Sequence, residues 1–133
     1  MYTIPRAWRA LQMPAVVLTV AFWECVDTVA PYVPVVTNEV DNFEHQVPLN
    51  GVTTTSRYTW TNTGSAATVD LLSSVTAGTA TLTIADADET VVFSHALDGS
   101  GAIGTGIGTA GDWMIIVTLT NVVGTVHFTV QKQ

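Results

Sequence analysis

The C-terminal hairpin of the sequence constrains the fold more than any other stretch. Its second arm, Thr125–Gln131, places Val126, Phe128 and Val130 on one face and polar residues on the other, which is the period of a half-buried strand. Its first arm, Asp112–Asn121, starts with apolar residues on both faces, which predicts a central strand. Because a lone hairpin is marginal in water, the upstream chain must supply further strands and an opposing sheet.

Composition agrees with a chain made of strands. The 133 residues are the length of one domain, and only 11% of them are charged, while Thr, Val, Ala and Gly are abundant. We predict an all-β fold, an antiparallel β-sandwich of the jelly-roll or immunoglobulin-like kind with about seven to eight strands, over residues 38–133. Strands are predicted near 40–47, 53–62, 68–75, 79–85, 90–97, 112–121 and 125–131.

Turn chemistry separates the predicted strands. Gly, Asn, Asp and Pro cluster at 48–51, 62–65, 77–78, 86–89 and 123–124. The apolar positions between these turns form the predicted core: Phe43, Val47, Tyr58, Trp60, Val69, Leu71, Leu82, Ile84, Val91, Phe93, Trp113, Ile115, Val117, Val126 and Phe128.

The N-terminal segment differs from the rest of the chain. Residues 1–24 carry two arginines followed by a short apolar run, the order found in a secretion signal peptide. The lone cysteine, Cys25, follows that run and resembles the acylated cysteine of bacterial lipoproteins, so it is the predicted lipidation site. Residues 25–37 hold Pro31 and Pro34 and are predicted to be an extended tether, with an edge strand as the alternative.

The charge balance restricts the partners. Without residues 1–24 the chain has two basic residues against ten acidic ones, a formal charge of −8. Such a surface repels nucleic acid and anionic lipid headgroups. From the signal-like segment we expect an extracytoplasmic protein, in the periplasm, on the outer membrane or at the cell surface. From the charge we expect it to touch a membrane only through an N-terminal lipid anchor.

Part of the sequence resembles a known family. The stretch 77–93, a Gly-rich crossing, Gly111–Leu119 and the terminal Gly124–Val130 are similar in order and spacing to pre-peptidase C-terminal domains. These are small β-sandwich modules appended to secreted bacterial proteins. The resemblance covers about residues 39–131 and implies the architecture alone, because Thr81 and Thr83 stand where that family carries acidic residues.

No catalytic motif emerges from the sequence. Gly99–Gly104 and Gly106–Gly111 match Gly-x-Gly-x-x-Gly, but a strand follows them instead of the helix that phosphate binding needs, so 98–111 is predicted to be a flexible crossover loop. The three histidines lack metal-ligand spacing, and no Gly-x-Ser-x-Gly elbow occurs. We predict that the protein is not an enzyme.

The carboxylates suggest one candidate metal site. If consecutive strands are antiparallel, the turns at 38–41, 62–65, 86–89 and 121–124 share one pole of the domain. Calcium binds six to eight oxygens, and a cluster of acidic residues there would supply some of them. The alternative is that these residues simply populate turns. The candidate ligands are Glu39, Asp41, Asp86, Asp88 and Glu89, and we otherwise expect no cofactor.

Three functions remain open at this stage. The first is a non-enzymatic exported or cell-envelope module with a binding or structural role, whose partner is an envelope protein or a polysaccharide. The second is a carbohydrate-binding module, for which Tyr58 and Trp60 would form an exposed stacking platform on their shared face. The third is a subunit of a surface assembly, which the low charge and the threonine-rich strand faces favour.

Overall fold

The computed structural model describes residues 32–133, which form an antiparallel β-sheet without helices. The predicted signal segment, Cys25 and most of the predicted tether lie outside these residues. No helix among the described residues is long and apolar enough to cross a membrane. The strands are β1 (Val35–Glu39), β2 (Asn42–Asn62), β3 (Ala67–Ala85), β4 (Val91–Ala96), β5 (Gly99–Gly104) and β6 (Gly111–Lys132).

Strand β6 is the centre of the sheet. The order is β1-β2-β6-β3-β4, and β5 pairs with the same edge of β3 that carries β4. β6 pairs with β2 on one side and with β3 on the other, from one end to the other of its 22 residues. The prediction that Asp112–Asn121 is a central strand is therefore confirmed.

The three long strands are interrupted in the middle by register shifts. β2 and β6 lose register between Asn50 and Thr54, and β3 and β6 between Val75 and Thr79. Glycines in positive-φ conformations stand at these points, with φ of 76° at Gly51, 78° at Gly78 and 135° at Gly124. The turn signals at these positions mark bends inside continuous strands. The prediction of seven to eight separate strands was therefore wrong, because residues 32–133 form six strands in one sheet.

Side-chain contacts show how far the sheet bends. Fifteen residues of straight strand would place Phe43 and Tyr58 roughly 50 Å apart, yet their ring centroids are 5.3 Å apart. The His45 and Tyr58 ring centroids are 5.7 Å apart as well. β2 therefore folds back on itself, so that the inward faces of its two halves share one hydrophobic cluster.

The core follows the predicted alternation with one exception among its large aliphatic residues. Val91 is 58% exposed, whereas Phe93, two residues later on the same strand, is buried. A register shift between Ile84 and Ala85 pairs Ala85 with Val91 and leaves Val92 unpaired, which turns Val91 to the outside. Tyr58 is only partly buried, and the other predicted core residues are buried.

Two edge strands replace segments predicted to be irregular. β5 lies within the predicted crossover loop and pairs Gly99–Gly104 with Thr68–Ser73 of β3, which corrects the prediction of a loop over that part of 98–111. Edge pairing suits this glycine-rich segment because its small residues need no packing partner on either face. β1 begins at Val35, inside the predicted tether, where the apolar valines favoured the alternative of an edge strand.

Gly124 tests the bend in β6. A Cβ added there would lie 2.1 Å from the Ser74 carbonyl oxygen, and φ is 135°, a region that only glycine occupies readily. We expect Gly124→Ala to lower the free energy of unfolding by about 3 kcal/mol, measured by urea denaturation. Gly51→Ala is the matched control, since Gly51 also has positive φ but an added Cβ would meet nothing within 4 Å; it should cost about 1 kcal/mol. Equal costs for the two would contradict the close approach at Gly124.

Candidate functional site

The turn between β3 and β4 is built around Asp86, one of the predicted calcium ligands. Its side chain is buried, Oδ1 accepts hydrogen bonds from the backbone N–H groups of Asp88 (3.0 Å) and Thr90 (2.8 Å), and Oδ2 accepts one from Thr109 N–H (2.9 Å). The N–H groups of Thr90 and Thr109 hold the pKa of Asp86 below its usual value. Asp86 thus fastens this turn to the segment before β6.

The neighbouring acids of the same turn face outward. Asp88 Oδ2 accepts a hydrogen bond of 2.7 Å from the Thr109 hydroxyl. Glu89 is exposed and has a φ of 66°. The turn is therefore attached to Thr109 by two carboxylates, while Glu89 extends into solvent.

Asp41 forms a second and separate polar cluster. Its carboxylate accepts hydrogen bonds from Thr63 N–H (2.7 Å) and the Thr63 hydroxyl (2.8 Å), and Lys132 Nζ lies 3.5 Å away. The Thr63 N–H is the main cause of the lowered pKa of Asp41, with Lys132 contributing. Glu39 contributes its carbonyl oxygen, which accepts a hydrogen bond from Trp60 Nε1.

The five predicted ligands do not form one cluster. Within residues 32–133 no group of three or more His, Cys, Asp or Glu side chains is placed to hold a metal ion. Asp41 and Asp86 already accept hydrogen bonds from backbone N–H groups, which compete with a cation for the same oxygens.

Calcium binding is tested directly by melting. A ligand that binds only the native state raises the midpoint of thermal unfolding. Because the described carboxylates form no such site, we expect the midpoint to stay within about 1 °C between about 5 mM EDTA and about 5 mM calcium. Magnesium at the same concentration controls for ionic strength. A calcium-specific rise that Asp88→Asn abolishes would reveal a site at the β3–β4 turn.

Tyr58 and Trp60 do not form the exposed platform predicted for carbohydrate binding. Trp60 is fully buried, packs edge-on against Trp113 with ring centroids 6.0 Å apart, and donates its N–H to the chain at Glu39. Tyr58 packs against Phe43 and His45, and burial raises its pKa. Both rings point into the folded-over sheet, because their positions alternate with Arg57 and Thr59 on the outer face.

The histidines occupy three different environments. His45 is fully buried, stacks on Phe128 with ring centroids 5.2 Å apart, and neither of its ring nitrogens has a hydrogen-bond partner. His127 Nε2 lies 2.7 Å from the Glu44 carboxylate on the outer side of the sheet. His95 is exposed at the end of β4. The three imidazoles therefore do not share a site.

One outer surface of the sheet is rich in threonine. It is formed by β4 together with residues 53–61 of β2, 112–120 of β6 and 79–85 of β3. We call it the threonine face. Pairing aligns Thr55 with Thr118, Thr118 with Thr81, and Thr120 with Thr79. Each threonine alternates with an inward-facing residue. The threonines of this face are Thr53, Thr55, Thr59, Thr61, Thr79, Thr81, Thr83, Thr118 and Thr120.

An apolar patch interrupts the threonines. Met114 and Ile116 of β6, with Ala85 and Val91, line a depression of about 340 Å³ whose remaining walls are Arg57 and Glu89. Pairing places Arg57 beside Ile116, and Ala85 between Met114 and Val91. Arg57 and Glu89 therefore lie on opposite sides of the apolar patch.

The sequence showed the residues of this surface but did not show that they lie together. The Thr-x-Thr runs at 53–55, 79–83 and 118–120 and the apolar outer positions Met114 and Ile116 were the signals. Their alignment on adjacent strands depends on the β3–β6 pairing, which joins elements far apart in the chain.

A scan against protein-family models and a search of curated proteins both find no match to this chain. The resemblance to pre-peptidase C-terminal domains therefore stays a prediction.

Proposed function

We propose that this chain is a non-enzymatic module, exported or held in the cell envelope, that binds or assembles through its threonine face. The proposal rests on one observation. The threonines of neighbouring strands lie in register on a broad surface that surrounds an apolar patch. The patch consists of half-buried Met114 and Ile116 beside Val91, which is 58% exposed, and apolar surface within a polar background is a common feature of interaction sites. The role is therefore assigned to a surface and not to a cleft.

The proposed architecture is a β-sandwich made from the single bent sheet. One layer would hold β1, β5 and the first halves of β2 and β3 with the second half of β6; the other would hold β4 and the remaining halves. The contact of Phe43 with Tyr58 across the bend supports this arrangement, as does the shared hydrophobic cluster. In such a sandwich the threonine face is the outside of one layer.

Among the binding roles, membership of a surface assembly is favoured over carbohydrate recognition. The burial of Trp60 removes the aromatic platform on which sugar stacking was to rest. The threonine face has few charges to desolvate, which suits contact with an envelope protein. The proposed partner is accordingly proteinaceous, with polysaccharide as the alternative outcome of the test.

Photo-crosslinking in the native envelope tests this function. A benzophenone amino acid placed at Thr118, in the middle of the threonine face, should crosslink to envelope material, while the same residue at Asp70 should not. Asp70 is the matched control because it is also an exposed strand position, on the outer side of the other half of β3. Crosslinking at Asp70 alone, or at neither site, would contradict the proposed role of the face.

The proposed location rests on Cys25, which would become the acylated first residue of the mature protein. Two or three acyl chains give stable membrane anchoring, whereas a module of this charge has no other reason to remain on a membrane. Expressed in a bacterial host, the wild type should partition into detergent and Cys25→Ser should not. Mass spectrometry of the product is the sharper measurement, since a chain with intact Met1 or one cut downstream near Ala30 would remove the anchor.

A further inference from the structure

Two exposed side chains of opposite charge flank the apolar patch of the threonine face. Arg57 is exposed on one side of the apolar patch and Glu89 on the other, and neither takes part in a salt bridge within the described residues. Elsewhere in residues 32–133 the balance is strongly acidic, with Lys132 as the single other base, and Lys132 lies beside Asp41. Arg57, which has no salt-bridge partner among the described residues, therefore stands beside the apolar patch.

The composition of the patch is that of an interface core. Met and Arg are enriched in protein interfaces, whereas Lys, Glu and Asp are depleted. Met114, Ile116 and Val91 form the centre, and threonines surround them. Asp112 lies at the end of the face beyond Met114, where its Oδ1 accepts a hydrogen bond from the Thr61 hydroxyl. The centre thus has Arg57 on one side and Glu89 on the other, with the carboxylate of Asp112 at one end of the face.

We infer that a second copy of this chain docks on the threonine face across a two-fold axis, with Arg57 of each copy opposite Glu89 of the other. In a two-fold interface the same patch is used twice, so a patch with opposite charges on its two sides pairs with itself. The axis bisects the line between the two charges and brings the two apolar centres together. This inference rests on the proposed function, because it names the occupant of the same face.

The size of the face sets the strength of the dimer. Four strands about 4.8 Å apart and about nine residues long cover roughly 19 by 30 Å, or roughly 570 Å² per copy. Stable interfaces bury about 800 Å² per partner, so the dimer should be weak and dependent on concentration. The general acidity of the chain opposes association, and the two Arg57–Glu89 pairs act against that repulsion at short range.

Sedimentation equilibrium of the full chain tests the dimer, with Cys25→Ser in every sample so that no disulfide or acyl group contributes. The reference protein should dimerise reversibly between about 10 μM and 1 mM, the range of a weak interface. Arg57→Glu and Glu89→Arg should each weaken the dimer at least about tenfold, because each leaves like charges facing. The double variant, R57E with E89R, should recover to within about threefold of the reference, since the swapped charges again meet opposite partners.

Two controls separate this result from general effects of charge. Asp70→Arg changes the net charge as Glu89→Arg does, but on the other outer face, and should not weaken the dimer. Thermal melts verify that each variant is folded. A monomer at all concentrations, a dimer insensitive to both single changes, or a double variant as weak as the singles would overturn the inference. Crosslinking at Thr118 to envelope material by a protein that stays monomeric would overturn the dimer and leave the proposed function standing.

Discussion

Replacing Trp113 by alanine is expected to lower the free energy of unfolding by about 3–5 kcal/mol, the range for truncating a large core aromatic. Trp113 is fully buried on the central strand, and its ring packs edge-on against Trp60. Its Nε1–H donates a 2.7 Å hydrogen bond to the Thr109 carbonyl. The change therefore opens a cavity beside Trp60 and removes one hydrogen bond between β6 and the segment before it.

Chemical denaturation of Trp113→Ala, followed by circular dichroism, measures this loss. Thr118→Ala is the matched control, because Thr118 lies on the same strand but is exposed on the threonine face. It should cost less than about 1 kcal/mol. A loss under about 1 kcal/mol for Trp113→Ala would mean that the Trp60–Trp113 pair is not the centre of the core.

The second large effect is a loss of stability in mild acid caused by His45. Burial, reinforced by repulsion from His127, lowers the pKa of His45 from 6.5 to about 4. Above pH 6.5 the imidazole is neutral in both states. Between pH 6.5 and 4 the unfolded chain binds a proton that the native protein does not, so the free energy of unfolding falls as the pH falls. The whole shift corresponds to about 3 kcal/mol.

The substitution His45→Leu should remove most of this pH dependence. It should also leave the protein at least as stable at pH 7, since an apolar side chain replaces two ring nitrogens that have no hydrogen-bond partner. Urea unfolding at pH 7, 5.5 and 4.5 measures the effect, and His95→Gln, which replaces an exposed histidine, is the control. Asp41 and Asp86 do not obscure the result. Their pKa values are lowered from 3.8 in the folded protein, so the stability they contribute is lost as the pH falls below 3.8. If His45→Leu keeps the wild-type dependence of the free energy of unfolding on pH, a group other than His45 causes the acid sensitivity.

Local patterns predicted the strands well and their continuity poorly. The alternation around Phe128 and Trp113 placed both residues correctly in the core. At Gly51, Gly78 and Gly124 the sequence signals a positive φ, and such a residue serves either a hairpin turn or a bend inside a strand. Only the long-range pairing of β2 and β3 with β6 decides between the two, and that pairing has no local signature.

The missed strand β5 explains a further difference at the acidic pole. Reading 98–111 as a loop placed residues 121–124 at the same pole as Asp41. In the structure Gly124 pairs with Leu49 and Val75, at the bends. β5 runs once more between the two poles of the domain before β6 begins. The first half of β6 therefore runs in the direction opposite to the predicted one, and residues 121–124 lie at the other pole. Glycine-rich edge strands carry too little hydrophobic alternation to be recognised from sequence.

The central position of β6 governs when this protein acquires its structure. In the sheet of the described residues β2 and β3 do not pair with each other. Each pairs with β6, which follows both of them in the chain. A ribosome that has delivered residues up to 110 has released two groups of strands without the strand that pairs with both. Most contacts must then form between distant parts of the chain, which makes folding slow. The sheet of the described residues can therefore be completed only near the end of synthesis.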